Sequence, residues 1–155
     1  MPTPTIVPSP SAIADYAGRE LGVSDWIAIE QDRIDAFAGA TGDRQWIHCD
    51  VERARRESPW QQTIAHGYLV IALAPVLLDQ LLRVEGGNAA INRGIDKMRF
   101  SAPVPAGSRI RMRARIKSVR ALPDDRVRVA FELRFEVEGS AKPACTASVN
   151  YFYLP

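Results

Sequence analysis

The segment HGYLVIALAPVLLDQLLRV constrains this chain more than any other, because every residue from Tyr68 to Leu78 is apolar or aromatic. A helix with no polar face is buried on all sides. The uninterrupted run is shorter than the roughly 20 apolar residues a membrane span needs, and it carries Pro75. It therefore reads as the central helix of a soluble core, and the rest of the chain must supply what packs around it.

Beyond Gly86 and Gly87 the period changes from helix to strand. Ile110, Met112, Ala114 and Ile116 alternate with Arg109, Arg111, Arg113, Arg115 and Lys117. Phe131, Leu133, Phe135 and Val137 alternate with Glu132, Arg134, Glu136 and Glu138. These are half-buried strands joined through a turn at Pro123-Asp124-Asp125, and ASVNYFYL reads as a last strand. The arginine row either grips phosphates or forms a solvent face paired with the glutamates of the next strand. The charge match favours the paired face.

Upstream, the pattern predicts a helix over SAIADYAGREL closed by Gly22 and a short strand at DWIAI. A second helix over EQDRIDAFAGATG, with Ile34, Phe37 and Ala38 on one face, is broken by Gly42. Asp43 to Asp50 reads as a loop, with Asp50 as N-cap of a helix over VERARRES. Helices first, one buried helix in the middle and antiparallel strands last predict an α+β domain whose sheet wraps the helix. At 155 residues a single core is expected, over 11–155, preceded by an extended arm over 1–10. Four prolines keep that arm from being a regular helix.

Charge excludes one class of partner. With 20 basic and 18 acidic residues, the net charge of +2 is too balanced for a nucleic-acid binder. The amino terminus lacks the basic and apolar regions of a secretion signal, which predicts a cytoplasmic protein with no membrane partner. Cys49 and Cys145 stand apart without metal-ligand spacing, so both are expected as free thiols and no metal or cofactor is expected.

Only two histidines are present, His48 and His66. Asp43 and His48 are separated by a tetrapeptide, so carboxylate and imidazole can face one cleft and share the activation of a water. A purely structural role for the pair stays open at this level. Gly67 lies where the apolar helix begins, and its N–H can face a developing oxyanion or its missing side chain can allow close packing. No GxSxG elbow or glycine-rich phosphate loop is present, and Cys49 is set aside as a nucleophile.

The runs FAGATGDRQWIHCDVERA, TIAHGYLVIAL and INRGIDKMRFSAPVPAGSRI, in that order, resemble the MaoC-like dehydratase family, in particular its branch with nodulation protein N. The resemblance covers residues 20 to 120 and implies a hot-dog fold and the activity of an R-specific enoyl-CoA hydratase. It implies that Asp43 and His48 bind the water added across the 2,3 double bond and that the Gly67 N–H polarises the thioester carbonyl. Arg99 to Val104 matches the strand and turn that come after the central helix. Gln45 and Trp46 stand where the broader motif has Asn-Pro, and with His66 they are placed on the substrate side of the site; His66 receives no catalytic role. An acyl-CoA substrate and a homodimer are expected. A non-catalytic acyl-binding protein and a hot-dog thioesterase are the alternatives.

Overall fold

Alternating burial builds the sheet. The computed structural model describes residues 1–155, and its main strands are β5 (Ala89–Phe100), β6 (Ser108–Ala121), β7 (Val127–Val137) and β8 (Pro143–Leu154). On β6 the buried residues are Ile110, Met112, Ala114 and Ile116; on β7 they are Val127, Val129, Phe131, Leu133, Phe135 and Val137. Two short strands, β2 (Glu20–Val23) and β3 (Ile27–Ile29), share the outer edge of β6. The six-stranded antiparallel sheet runs β2-β6-β7-β8-β5. Asp124 and Asp125, with φ of 61° and 56°, follow Pro123 in the three-residue turn between β6 and β7, closed by the Leu122 N–H to Arg126 O bond of 2.8 Å.

The arginine row lies on the outer face of this sheet and is paired. Arg111 Nε is 2.7 Å from Glu136, Arg115 is 3.3 Å from Glu132, and Arg109 is bonded to Glu138. Such half-exposed cross-strand pairs contribute about 0.2–1 kcal/mol each.

The apolar run folds differently from one continuous buried helix. It forms α4 (Gly67–Ala72) and α5 (Ala74–Asp79), interrupted at Leu73. Pro75 has no N–H to give the carbonyl of Ile71, so the ladder breaks and restarts with the proline in the first turn of α5. Leu69, Val70, Ile71, Ala74, Leu77 and Leu78 pack on the sheet, but Tyr68 and Val76 remain 69% and 56% exposed. The continuation Leu82–Val84 leaves the helix altogether as β4, which pairs in parallel with β1 (Thr5–Val7). Val7 is fully buried, so the proline-rich amino terminus is stitched into the core. No helix is long and apolar enough to cross a membrane.

The first predicted helix is also corrected. Ser11–Tyr16 is a short 3-10 helix, and Gly18, at φ 81°, turns the chain so that Glu20–Val23 pairs with Arg113–Arg115. Strand pairing and a left-handed glycine outweigh the local helical pattern. Three further helices lie between β3 and α4: α1 (Gln31–Thr41), the single turn α2 (Trp46–Cys49) and α3 (Val51–Glu57). The Asp50 carboxylate caps α3 by accepting the Arg53 N–H at 2.9 Å.

Candidate active site

Asp43 and His48 are positioned by the way α1 stops. Gly42 takes φ 82° as C-cap of α1, its N–H bonded to Ala38 O at 2.9 Å, and sends the chain away from the helix axis. The Asp43 N–H donates to Thr41 Oγ1 at 3.3 Å, and the Gln45 N–H to the Asp43 carboxylate at 3.4 Å. The stretch expected as a loop through Asp50 is instead helical over α2, so His48 sits on a closed turn. That turn is sewn to the segment before α4. The Ile64 N–H donates to Ile47 O at 3.0 Å, and Gln31 Nε2 donates to His48 O at 2.7 Å. Gln31 Oε1 accepts from Thr63 Oγ1 at 2.5 Å, so one glutamine ties both sides together.

His48 is buried, with Nδ1 2.7 Å from the Ile64 carbonyl. A carbonyl can only accept, so Nδ1 carries the proton and the neutral ring keeps its lone pair on Nε2. Burial holds the His48 pKa below its ordinary value, against the Ile64 bond that raises it; His66 lowers it further and Asp43 raises it. The ring is therefore neutral near pH 7, as a base must be.

His66 is buried too, and its Nε2 lies 2.9 Å from the Asp43 main-chain carbonyl. The same reasoning protonates Nε2, while Nδ1 finds no partner. The two imidazoles stack with centroids 3.9 Å apart and planes inclined by 25°, and Phe37 covers His66 at 4.9 Å. One polar atom each of Asp43, His48 and His66 lies within 4.8 Å of the others. No hydrogen bond joins the Asp43 carboxylate to either imidazole, and a water can bridge polar groups at such separations. The set does not suit a metal ion, because lone pairs lie in their ring planes and two nearly parallel rings do not converge on one point.

A cavity of about 370 Å³ opens on His48, lined also by Trp60, Gly67, Val70, Phe100 and Ala144 among others. Gly67 is the first residue of α4, where an N–H has no intrahelical acceptor, and it bonds to no other group. A side chain there would meet the Phe100 ring at 3.0 Å. Of the sequence-assigned groups, His48 and Gly67 line the cavity and Asp43 stands half-buried beside His48. Gln45 is exposed, and Trp46 lies under the Arg53 guanidinium at 4.4 Å, away from the cavity lining. His66 touches the cavity lining only through His48.

Sequence reading missed Trp60 and Gln31. Trp60, a tryptophan left 38% exposed after Pro59, forms a cavity wall that composition could have flagged. Gln31 bonds locally to Asp35, but the partners that tie the site together lie 17 and 32 residues away and leave no local signal. Burial raises the Cys49 thiol pKa, with Asp35 adding to it, so this neighbour of His48 stays protonated. A second cavity, of about 350 Å³, lies against Pro75, Leu78 and Tyr151 and holds no imidazole.

Comparison with known proteins gives the family and the fold. Residues 13–136 match the MaoC like domain. The chain is 48% identical over 142 residues to 3-hydroxyacyl-thioester dehydratase Z of Mycobacterium tuberculosis, spanning 92% of this chain and 93% of that one. It is 39% identical to nodulation protein N of Rhizobium meliloti, over 89% and 86% of the two chains. The (R)-hydratase from A. caviae superposes with a TM-score of 0.69 at 24% identity, covering 90% of this chain and 96% of that one. The monoamine oxidase regulatory protein from Archaeoglobus fulgius superposes with a TM-score of 0.80 at 22% identity, covering 99% of both chains. The sheet curled on α4 and α5 is thus the hot-dog fold. The chain belongs to the MaoC-like domain family.

Proposed function

We propose that this chain adds water across the double bond of a trans-2-enoyl thioester, an enoyl-CoA, and catalyses the reverse dehydration of the 3-hydroxyacyl thioester. The enzyme class is that of a hydro-lyase, in keeping with the 48% identical dehydratase that aligns over 92% of the chain. The observation that carries the reaction is buried His48, its Nδ1 proton held by the Ile64 carbonyl, with a polar atom of Asp43 within 4.8 Å of an imidazole nitrogen and a cavity in front.

In hydration, water bridges Asp43 and His48, loses a proton to one of them and bonds through oxygen to C3. The π electrons shift toward C2 and the thioester oxygen, where the unpaired Gly67 N–H stabilises the negative charge. A proton returned to C2 completes the addition. Losing one such donor costs about 10²–10³ in rate. Apolar Val70, Phe100 and Ala144 line the cavity and suit an acyl chain.

The assembly proposed is a homodimer in which two sheets join edge to edge and each protomer helps wall the other's acyl tunnel. Support comes from β5, the sheet edge, which is exposed along nearly all of its 12 residues. Ile91, Ile95 and Phe100 on it, with Tyr68 and Val76 on the helices, leave large apolar side chains in solvent. An unpaired, apolar edge of this length is a site for strand pairing.

The deciding assay offers a chain-length series of trans-2-enoyl-CoAs and follows both enoyl absorbance and free CoA. Loss of absorbance without free CoA is expected. Free CoA would indicate a thioesterase, and saturable binding without turnover an acyl-binding protein.

A further inference from the structure

We propose that His66 is a positioning residue that fixes both halves of the water-binding pair, holding the Asp43 main chain through its Nε2–H and the face of His48 through its ring. The proposal rests on the hydration reading above. The bond to Asp43 O is 2.9 Å long, and the ring lies 3.9 Å from His48 with Phe37 behind it. His48 is thereby clamped from two directions, by Ile64 O in its plane and by His66 across its face.

A space-filling role does not account for an imidazole here. His66 Nδ1 is buried and unpartnered, and burying an unpaired polar atom is unfavourable. Phenylalanine would fill the same stack without that penalty. What phenylalanine lacks is the N–H that reaches the Asp43 carbonyl. Asp43 has few other restraints: a long bond from its own N–H to Thr41, and the 3.4 Å bond its carboxylate accepts from Gln45.

The titratable groups that bear on His48 are His66, from the cap of α4, and Asp43, from the turn before α2. Ile64, and Gln31 on α1, touch it through uncharged atoms. Removing His66 removes one influence that lowers the His48 pKa.

The test uses the full chain as wild type, as His66→Gln, which keeps an N–H donor without a ring, and as His66→Phe, which keeps the ring without a donor. Hydration of a trans-2-enoyl-CoA is measured between about pH 5 and pH 9. Both variants should keep KM within about threefold, while His66→Phe loses about 10²-fold in kcat as Asp43 drifts. His66→Gln should lose less than about tenfold. Equal losses in the two variants, or none in His66→Phe, overturn the proposal.

A measurement without substrate separates this idea from the functional one. The chain has two histidines, so in either variant the only side-chain imidazole signal in NMR belongs to His48. Its titration should move up toward the ordinary value while Nδ1 stays protonated in the neutral form. An unmoved titration overturns the positioning role. A wild type that hydrates no enoyl thioester, with the titration still moving, sinks the functional reading alone. Should His66→Phe fail to fold, His66→Gln decides by kcat and by titration.

Discussion

His48 and His66 stack at 3.9 Å with each ring donating one N–H to a main-chain carbonyl, His48 to Ile64 and His66 to Asp43. That arrangement leaves the Nε2 lone pair of His48 without a protein partner, on a ring that lines the cavity.

Asp43→Asn keeps the shape of the side chain but not its basicity, and His48→Ala removes the imidazole. Each should lower kcat by about 10²–10⁴. The double variant should be little worse than either single one, since groups acting on one water are not additive. Their melting should differ. Asp43→Asn should melt like wild type, whereas His48→Ala leaves the Ile64 carbonyl without its donor and should lose about 1–3 kcal/mol. Ordinary activity in folded Asp43→Asn protein would end the mechanism.

Burial holds His48 below its ordinary pKa, which fixes the sign of a stability effect. Above both values neither folded nor unfolded chain carries the proton. As pH falls past the ordinary imidazole value, the unfolded chain takes up a proton that the buried ring refuses, so the folded state loses stability. The loss levels off once pH passes below the lowered folded value. Urea midpoints should therefore fall on acidification through this window, and less steeply in His48→Gln. The acid limb of kcat/KM should lie below the ordinary histidine range.

Gly67→Ala leaves the N–H in place but sets a methyl 3.0 Å from the Phe100 ring. Phe100 is 45% exposed and can swing, so stability should change by less than about 1 kcal/mol. The displaced ring should narrow the cavity and raise KM for long acyl chains. Adding Phe100→Ala should restore it. A KM that stays high in the double variant would show that the alanine acts on the backbone instead.

Arg113 is about half exposed and lies 3.4 Å from Glu136, which keeps its closer partner Arg111 at 2.7 Å. Arg113→Ala should cost under about 1 kcal/mol and leave KM alone for CoA and pantetheine thioesters alike. A rise for the CoA thioester only would reveal a phosphate contact.

The β5 edge should be the dimer seam. Ile95→Lys places a charge on an exposed apolar position of that strand and should convert a dimer to monomer in light scattering. A wild type that runs as a clean monomer at working concentration contradicts the assembly.

How much of the molecule is legible in its sequence depends on the range of the interactions. Period-2 alternation on Ile110 to Ile116 and on Phe131 to Val137 announced the two central strands, because one face of each meets the core and the other meets water. The motifs around Asp43, His48 and Gly67 pointed to the family, because they stand in the chain as contiguous runs in a fixed order. Tertiary structure decided the rest. Ser11–Tyr16 became a 3-10 turn and Glu20–Val23 a strand because β6 offered an edge to pair with. The apolar run proved exposed at Tyr68 and Val76 because the sheet covers only one side of it. The roles of Gln31 and His66 come from partners 17, 32 and 23 residues away, and a hydrogen bond across such separations leaves no periodic trace in the chain. Local spacing wrote the strands and the family motifs into the sequence; the fold alone chose which distant carbonyls hold each imidazole in place.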